Sequence, residues 1–511
     1  MAWLSPRGSR TVSLFVLLLL GAGVLASNTA IAQRLGQKDE LNLQSSGPAR
    51  VLPAHIFGAN VESAYFEHLD GDQGKLQCAR DMNFALIRFP GGSLSNYYHW
   101  QDGHISVPAY SNSSKYTKYW VQLSQKLNAR NPQGSKIENY CKSAGLLGAK
   151  LVLVPNLETA TVADQLAWFK EMKQHGTLPE RIEMGNEFYL FMGNDPNVLK
   201  KWPDAVTSMN VMKQYADAFR TVLSPMAKIA VQAAGAAYQT PPDSRDRYHR
   251  QFVRWDEDLK PSPWFDAVTV HLYPRLEEQL QSPENPKGIE LYHVLMAHCN
   301  QGVDRVLADI SKRLPGKEIW VTEYNAHGEQ MREGPSPVTP AMEMQANTRM
   351  ALAFLRNANL GAALYFSLDY QGRLFNKAGR TGSYVPNPTA VALAWLDDAA
   401  NGGATYQRVV DAGEPLIEGG AWGYGRESYR GVDAAIFKHA DRTVLIVQNS
   451  TRQPHSFETK QLVPGKAPRL IESVSAPRIL AQDDSPPQVE RQKPGNNQIE
   501  LMPYSICRVV W

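Results

Sequence analysis

Two short stretches carry residues whose types and spacing suit bond cleavage. Arg181-Ile182-Glu183-Met184-Gly185-Asn186-Glu187 rises through an apolar run and ends on an Asn-Glu pair. Glu318-Ile319-Trp320-Val321-Thr322-Glu323 has the same shape, with a carboxylate at its end. Hydrolysis of a glycosidic bond with retention needs one carboxyl as acid/base and a second as nucleophile, about 5–5.5 Å apart. A lone Glu ending a strand is usually a surface group or a salt-bridge partner. Two of them, preceded by Asn186 and Thr322, make a pattern. Glu183 lies inside its run and reads as a structural ion-pair partner. Polar residues end other apolar runs as well: Arg88 in Ile87-Arg88-Phe89-Pro90, Asn156 and Glu158 after Val154-Pro155, His271 and Tyr273 in Val270-His271-Leu272-Tyr273, and Asp369 after Ser367-Leu368.

The elements that must position these groups are eight nearly continuous apolar runs: Ile56–Phe66, Phe84–Pro90, Lys150–Pro155, Arg181–Gly185, Lys228–Ala233, Phe265–Leu272, Glu318–Glu323 and Ala362–Leu368. Such runs are expected of parallel strands buried on both faces. Amphipathic stretches alternate with them, including Val162–His175, Met342–Leu355 and Thr389–Ala400, the last opening after Pro388. Eight strands alternating with helices predict a (β/α)8 barrel over residues 54–402. A doubly wound open sheet is the competing architecture, but no GxGxxG or Walker loop follows the first strand. Long insertions follow the strands at Ser93–Gln133, Ala236–Ser262, Pro274–Lys287 and Ala326–Pro340, and should rise on the face where the strands end. The first is rich in aromatics (Tyr97, Tyr98, Trp100, Tyr116, Tyr119, Trp120) that either face sugar rings or pack the loop onto the barrel. After Asn401-Gly402-Gly403 the pattern becomes short β-rich runs between Pro, Gly and Asn, which predicts a β-sandwich over residues 403–511. The segment 33–53 is expected to add a strand to it.

The 511 residues suffice for a large core and more than one domain, and charged residues make up an ordinary 20%. Arg7 and Arg10, the apolar run Leu14 to Leu20, and Ala30-Ile31-Ala32 read as a secretory signal peptide over residues 1–32, with cleavage before Gln33 and delivery to the periplasm or the exterior. An uncleaved anchor is the alternative. The formal net charge of +3 includes those two arginines, so the mature chain stands near +1. That balance makes no electrostatic case for nucleic acid or an anionic membrane surface. Cys78, Cys141, Cys299 and Cys507 lack metal-ligand spacing. In an exported chain, Cys78 with Cys141 is the first disulfide to test, since both fall on helices expected to be neighbours. Sequons stand at Asn112 and Asn449.

Gly185-Asn186-Glu187 ending a fourth strand, with Glu323 ending a seventh, resembles glycoside hydrolase clan A. Ile87-Arg88-Phe89-Pro90-Gly91-Gly92-Ser93, followed by Tyr98-His99-Trp100, looks like the second-strand motif of family 51 α-L-arabinofuranosidases. More loosely it is similar to the family of heparanase and β-glucuronidases. The resemblance implies that Glu187 is the general acid/base, whose carboxyl must carry a proton when the glycosidic oxygen leaves, and that Glu323 is the nucleophile. It further implies that Arg88 keeps Glu323 ionised, Asn186 holds the sugar 2-hydroxyl, and His271 and Tyr273 orient the nucleophile. Asn156 and Glu158, ending strand three, are either rim contacts or structural residues, and Trp100 is a candidate substrate contact. Strand eight lacks the tryptophan that many clan members use as a sugar platform, leaving Asp369 to bind a hydroxyl.

These readings predict an exported, retaining glycoside hydrolase of α-L-arabinofuranosidase type, with carbohydrate as partner and without metal or organic cofactor. A β-glucuronidase or endo-glycanase is the enzyme alternative. Inversion would require carboxyls about 6.5–9.5 Å apart. A carbohydrate-binding protein that kept the barrel is the alternative of a different class, and the intact carboxylate pair argues against it.

Overall fold

The computed structural model describes residues 39–61, 73–108, 114–191, 196–239, 247–274, 287–326, 337–368, 374–378, 383–422, 425–476, 478–481, 488–495 and 497–511. Eight parallel strands close into a barrel in chain order: Phe57–Asn60, Leu86–Phe89, Lys150–Leu153, Arg181–Glu183, Lys228–Gln232, Ala267–Leu272, Glu318–Tyr324 and Leu360–Tyr365. Each falls within, or overlaps, one of the eight apolar runs. Strands two, three, four, five and eight leave the ladder one to three residues before their runs end, strand six ends with its run, and strand seven continues one residue past it.

Inside the barrel, Leu86, Val152, Ala230, Ala267, Trp320, Ala362 and Leu364 form a buried plug of their own. Side chains alternate along a strand, so the residue two further on points the same way. Arg88 after Leu86, Gln232 after Ala230 and Thr322 after Trp320 therefore face the interior one layer nearer the strand ends. Glu323 would point outward by this count. Pairing between strands six and seven instead slips from Val270↔Val321 to His271↔Glu323, passing over Thr322. A bulge re-aims a side chain in this way, and it lets Thr322 and Glu323 both face the barrel axis.

The helices over Val162–Gln174, Pro340–Phe354 and Pro388–Ala400 open on Thr161, Thr339 and Asn387, whose side chains accept from the backbone N–H three residues on. The last two carry proline in the first turn, where its missing N–H costs nothing. The segments read as insertions contain order of their own. The first holds a short antiparallel pair, Tyr98–His99 with His104–Ile105, and a helix over Lys115–Arg130. The second holds a helix over Arg247–Asp258.

The β domain is a seven-stranded sheet in the order Leu43–Val51, Thr405–Asp411, Val432–Lys438, Thr443–Asn449, Ser505–Val510, Leu470–Ser475, Val489–Arg491. A three-stranded sheet of Asp39–Leu41, His455–Glu458 and Gln498–Leu501 faces it, and Leu43, Val409, Ile436, Leu445, Phe457, Ile499 and Val509 fill the space between. Leu43–Val51 pairs antiparallel with Thr405–Asp411, so the sheet is built from both ends of the chain. Arg349 and Arg356, from the helix over Pro340–Phe354 and just after it, reach Asp433 of the sheet at 3.1 and 3.0 Å.

One expectation is corrected, the Cys78–Cys141 disulfide, and two open readings are decided. All four cysteines are free thiols: Cys78 donates to Tyr384 O at 3.3 Å, while Cys141 lies against Thr177, so the two thiols look to different partners although their helices touch. The Asn449 side chain is buried and donates to Gln453 O and Met502 O at 2.8 and 2.9 Å, which leaves no room for a glycan. Tyr97 and Tyr98 belong to the core, and the Tyr98 hydroxyl donates to Ser135 O at 2.7 Å. Residues 1–38, which include the signal-peptide segment, lie outside the described residues, as do Asn112 and Asp369. Among the described residues no helix is long and apolar enough to cross a membrane.

Candidate active site

At the carboxyl ends of the strands, Arg88 lies fully buried at the centre of a polar cluster. Its Nε donates to Glu183 Oε2 at 2.7 Å, Nη1 to Glu323 Oε1 at 2.6 Å and Asn60 Oδ1 at 2.9 Å, and Nη2 to Asn186 Oδ1 at 2.8 Å. One guanidinium thus ties together strands one, two, four and seven. Burial opposes its charge, but the carboxylates of Glu183 and Glu323 outweigh that cost and hold it charged. Burial likewise pushes the Glu183 carboxyl up, and Arg88 reverses the effect, bringing it down to about 2. Thr322 donates a further hydrogen bond to Glu183 at 3.0 Å.

Glu323 also accepts from the Tyr273 hydroxyl at 2.6 Å. Burial first, and then the charge of Glu323, raise that hydroxyl well above the usual phenol range, so Tyr273 remains a donor. His271, fully buried at the end of strand six, places Nδ1 at 2.9 Å from Glu187 Oε1 and 3.5 Å from Glu323 Oε2. One oxygen of Glu187, one of Glu323 and one ring nitrogen of His271 lie within 4.8 Å of one another. That trio has the donor types of a metal site. Arg88, already 2.6 Å from Glu323, supplies the positive charge there, and a divalent cation would sit against it.

Glu187 is held by its backbone. Gly185 at φ +80° and Glu187 at φ 52° turn the chain sharply out of strand four. For a residue with a side chain this left-handed conformation is uncommon, and it clusters at functional sites. The Glu187 N–H donates to Gln232 Oε1, and the Tyr189 hydroxyl reaches Glu187 Oε1 at 3.3 Å. Asn186 is clamped reciprocally by Asn96, with N–H to Asn96 Oδ1 at 2.9 Å and Asn96 Nδ2 to Asn186 O at 2.7 Å. Its own Nδ2 is buried and has no hydrogen-bond partner among the described residues.

The structure thus brings Glu187, Glu323, Arg88, Asn186, His271 and Tyr273 into one cluster, and Glu183 into the ion pair beneath it. It does not bring Asn156, Glu158 or Trp100 there. The Asn156 amide is consumed by its own loop and the insertion after strand two, donating to Thr159 Oγ1 and Tyr98 O and accepting from Thr159 N. Glu158 accepts from Trp202 Nε1. Trp100 stacks on Trp168 and donates to Asp164, both on the helix after strand three. Beyond strand eight, Phe366 stands edge-on to Tyr273 with centroids 6.0 Å apart. Asn60, Asn96, Gln232 and Thr322 complete the cluster; the first three escaped sequence reading, and Thr322 entered it only as the residue before Glu323. Gln232 carried a usable signal, a polar residue late in the apolar run Ile229-Ala230-Val231, which is the signal that picked out Arg88.

The chain shares its fold, a closed parallel barrel with an added β domain, with solved glycoside hydrolase structures. Among solved structures, the chain is similar to the family 51 arabinofuranosidase of Xanthomonas axonopodis pv. citri, at 14% identity over 92% of this chain and 100% of that one, with a TM-score of 0.62. A family 51 α-L-arabinofuranosidase from Bifidobacterium longum matches at 14% identity over 93% and 99% of the two chains, with a TM-score of 0.63. A 4-O-α-L-rhamnosyl-β-D-glucuronidase from Fusarium oxysporum matches at 14% identity over 92% and 100%, with a TM-score of 0.57. No protein-family model and no curated protein sequence matches the chain.

Proposed function

We propose that the protein is an exported, retaining glycoside hydrolase of α-L-arabinofuranosidase type that acts on polysaccharide or oligosaccharide. The observation that carries this reading is the approach of a Glu187 oxygen to a Glu323 oxygen within 4.8 Å. That spacing suits double displacement and leaves little room for the water that inversion must place between the carboxyls. Glu323, oriented by its hydrogen bonds from Arg88 and Tyr273, attacks the anomeric carbon and forms a glycosyl ester. Glu187 gives its proton to the departing oxygen, then takes one from the water that cleaves the ester. The Nδ2 of Asn186, unpartnered among the described residues, supplies a donor for the sugar 2-hydroxyl, where hydrogen bonds strengthen in the transition state.

The test is release of nitrophenol from the α-L-arabinofuranoside, with the anomer first formed followed by NMR. Turnover with retention, lost in Glu323→Ala, is the expected result, and an inverted product would refute the mechanism. The likeness in fold to a β-glucuronidase makes the β-D-glucuronide the second substrate to try, and cleavage of that compound alone would move the specificity to acidic sugars. Export is supported by the signal-like pattern of residues 1–32. Amino-terminal sequencing of the chain from envelope or medium should begin at Gln33.

A further inference from the structure

We propose that Gln232 is a positioning residue that holds His271 as a neutral imidazole protonated on Nδ1, so that its one N–H is directed at Glu187. The argument begins with the backbone. The Glu187 N–H can only donate, and it points at one end of the Gln232 amide, so that end must be the oxygen. The other end is then the NH2 group, which lies 3.0 Å from His271 Nε2. An NH2 group can only donate, so Nε2 must accept and carries no proton. The ring proton sits on Nδ1, 2.9 Å from Glu187 Oε1. The hydrogen bonds form a circuit that leaves Glu187 from its backbone, passes through Gln232 and His271, and returns to its own carboxylate.

Charge alone argues the other way. His271 faces Glu183 from strand four, with Nε2 3.6 Å from Oε1, then Glu187, and Glu323 from strand seven; Arg88 and Tyr273 bond to those same carboxylates. Burial pulls the ring down, and the carboxylates outweigh it, raising it to about 9. A second proton on Nε2 would nevertheless point into the Gln232 NH2. Turning the amide over only moves the conflict, setting NH2 against the Glu187 N–H. Glu183 Oε1 stands farther from Nε2, at 3.6 Å, than the amide nitrogen at 3.0 Å, outside ordinary hydrogen-bond distance.

The consequence rests on the acid/base reading of Glu187. An imidazolium against Oε1 would hold Glu187 as its carboxylate and oppose the proton that the first step needs. A neutral N–H orients the same oxygen without adding charge, leaving the other to carry the acid proton. Gln232→Glu reverses the instruction, because a carboxylate accepts from the Glu187 N–H and from His271 Nε2–H together.

The experiment is 15N NMR of histidine-labelled protein at pH 7, with the His271 signals identified by their loss in His271→Gln, or by their shift in Gln232→Glu should that variant not fold. The expected wild-type pattern is one protonated and one unprotonated ring nitrogen, becoming two protonated nitrogens in Gln232→Glu. Two protonated nitrogens in the wild type, or no change in the variant, overturns the proposal. Gln232→Glu should also lower kcat about tenfold or more at pH 7 with KM little altered, and the deficit should shrink as pH falls. A wild-type chain that cleaves no glycoside would refute the hydrolase reading, while the ring-nitrogen pattern would still decide the role of Gln232.

Discussion

Arg88→Lys keeps a positive charge and loses the fork that reaches four acceptors on or just beyond strands one, four and seven. An ammonium cannot span Glu183, Glu323, Asn60 and Asn186 at once. We expect kcat/KM to fall about 100-fold or more, as when a preorganised donor is removed from an active site. Activity within a few-fold of wild type would show that Arg88 is dispensable. The two carboxylates separate by substrate. Glu323→Ala should be inactive on every glycoside, whereas Glu187→Ala should retain the first step on aryl glycosides with good leaving groups, which need little acid assistance. Equal losses on such a compound would undo the role assignment. Glu183 makes a different prediction. Arg88 depresses its carboxyl to about 2 from the ordinary 4.5, so the ion pair stabilises the fold above pH 4.5 and that contribution drains away between pH 4.5 and 2. Glu183→Gln should cost about 3 kcal/mol at neutral pH. In urea unfolding the gap to wild type should narrow across that window, and a gap constant down to pH 2 would contradict the pairing.

At the scale of elements, the turn that ends strand four fixes where Glu187 stands. A Cβ on Gly185 would lie 2.1 Å from Phe188 Cε2, and the Phe188 ring is stacked on Trp202 with centroids 3.9 Å apart, so it cannot swing aside. The positive φ adds its own penalty. Gly185→Ala should therefore cost about 2–4 kcal/mol and lower kcat by displacing Glu187. An unchanged melting temperature would refute this account of the turn. The bulge at Thr322 plays the matching part on strand seven. Without it Glu323 would face the helices rather than the axis.

Over the whole molecule, barrel and sandwich meet through buried charge. Arg349, Arg356 and, at 3.7 Å, Arg408 surround Asp433. Burial alone would raise the Asp433 carboxyl, and the three guanidiniums hold it below its usual range. Asp433→Asn leaves those cations facing one another out of water and should cost about 3–5 kcal/mol, read as a loss of stability in urea with activity intact in the remaining folded fraction. Deleting the chain through Pro53 removes the strand that covers Thr405–Asp411. The exposed edge is a template for pairing with other chains, so that truncation should aggregate.

The eight barrel strands, the paired glutamates and the change to β-structure near residue 403 were legible in the sequence, because buried parallel strands are continuous apolar runs and a polar residue that ends one is conspicuous. The signal is local, and each run announces itself without reference to its neighbours. What the tertiary structure decided is non-local. The bulge that turns Glu323 inward exists only in the pairing of strands six and seven. Asn156 and Trp100 stood at strand ends or in an aromatic loop, as site residues would, yet their partners in their own loop and the helix after strand three claimed them. Cys78 and Cys141 sit on touching helices with their thiols directed elsewhere. Asn60, Asn96 and Gln232 gain meaning from Arg88, Asn186 and His271, each 28 to 90 residues away along the chain. Linear order carries no direction for a side chain, and only the closed barrel brings these amides to the charges they orient.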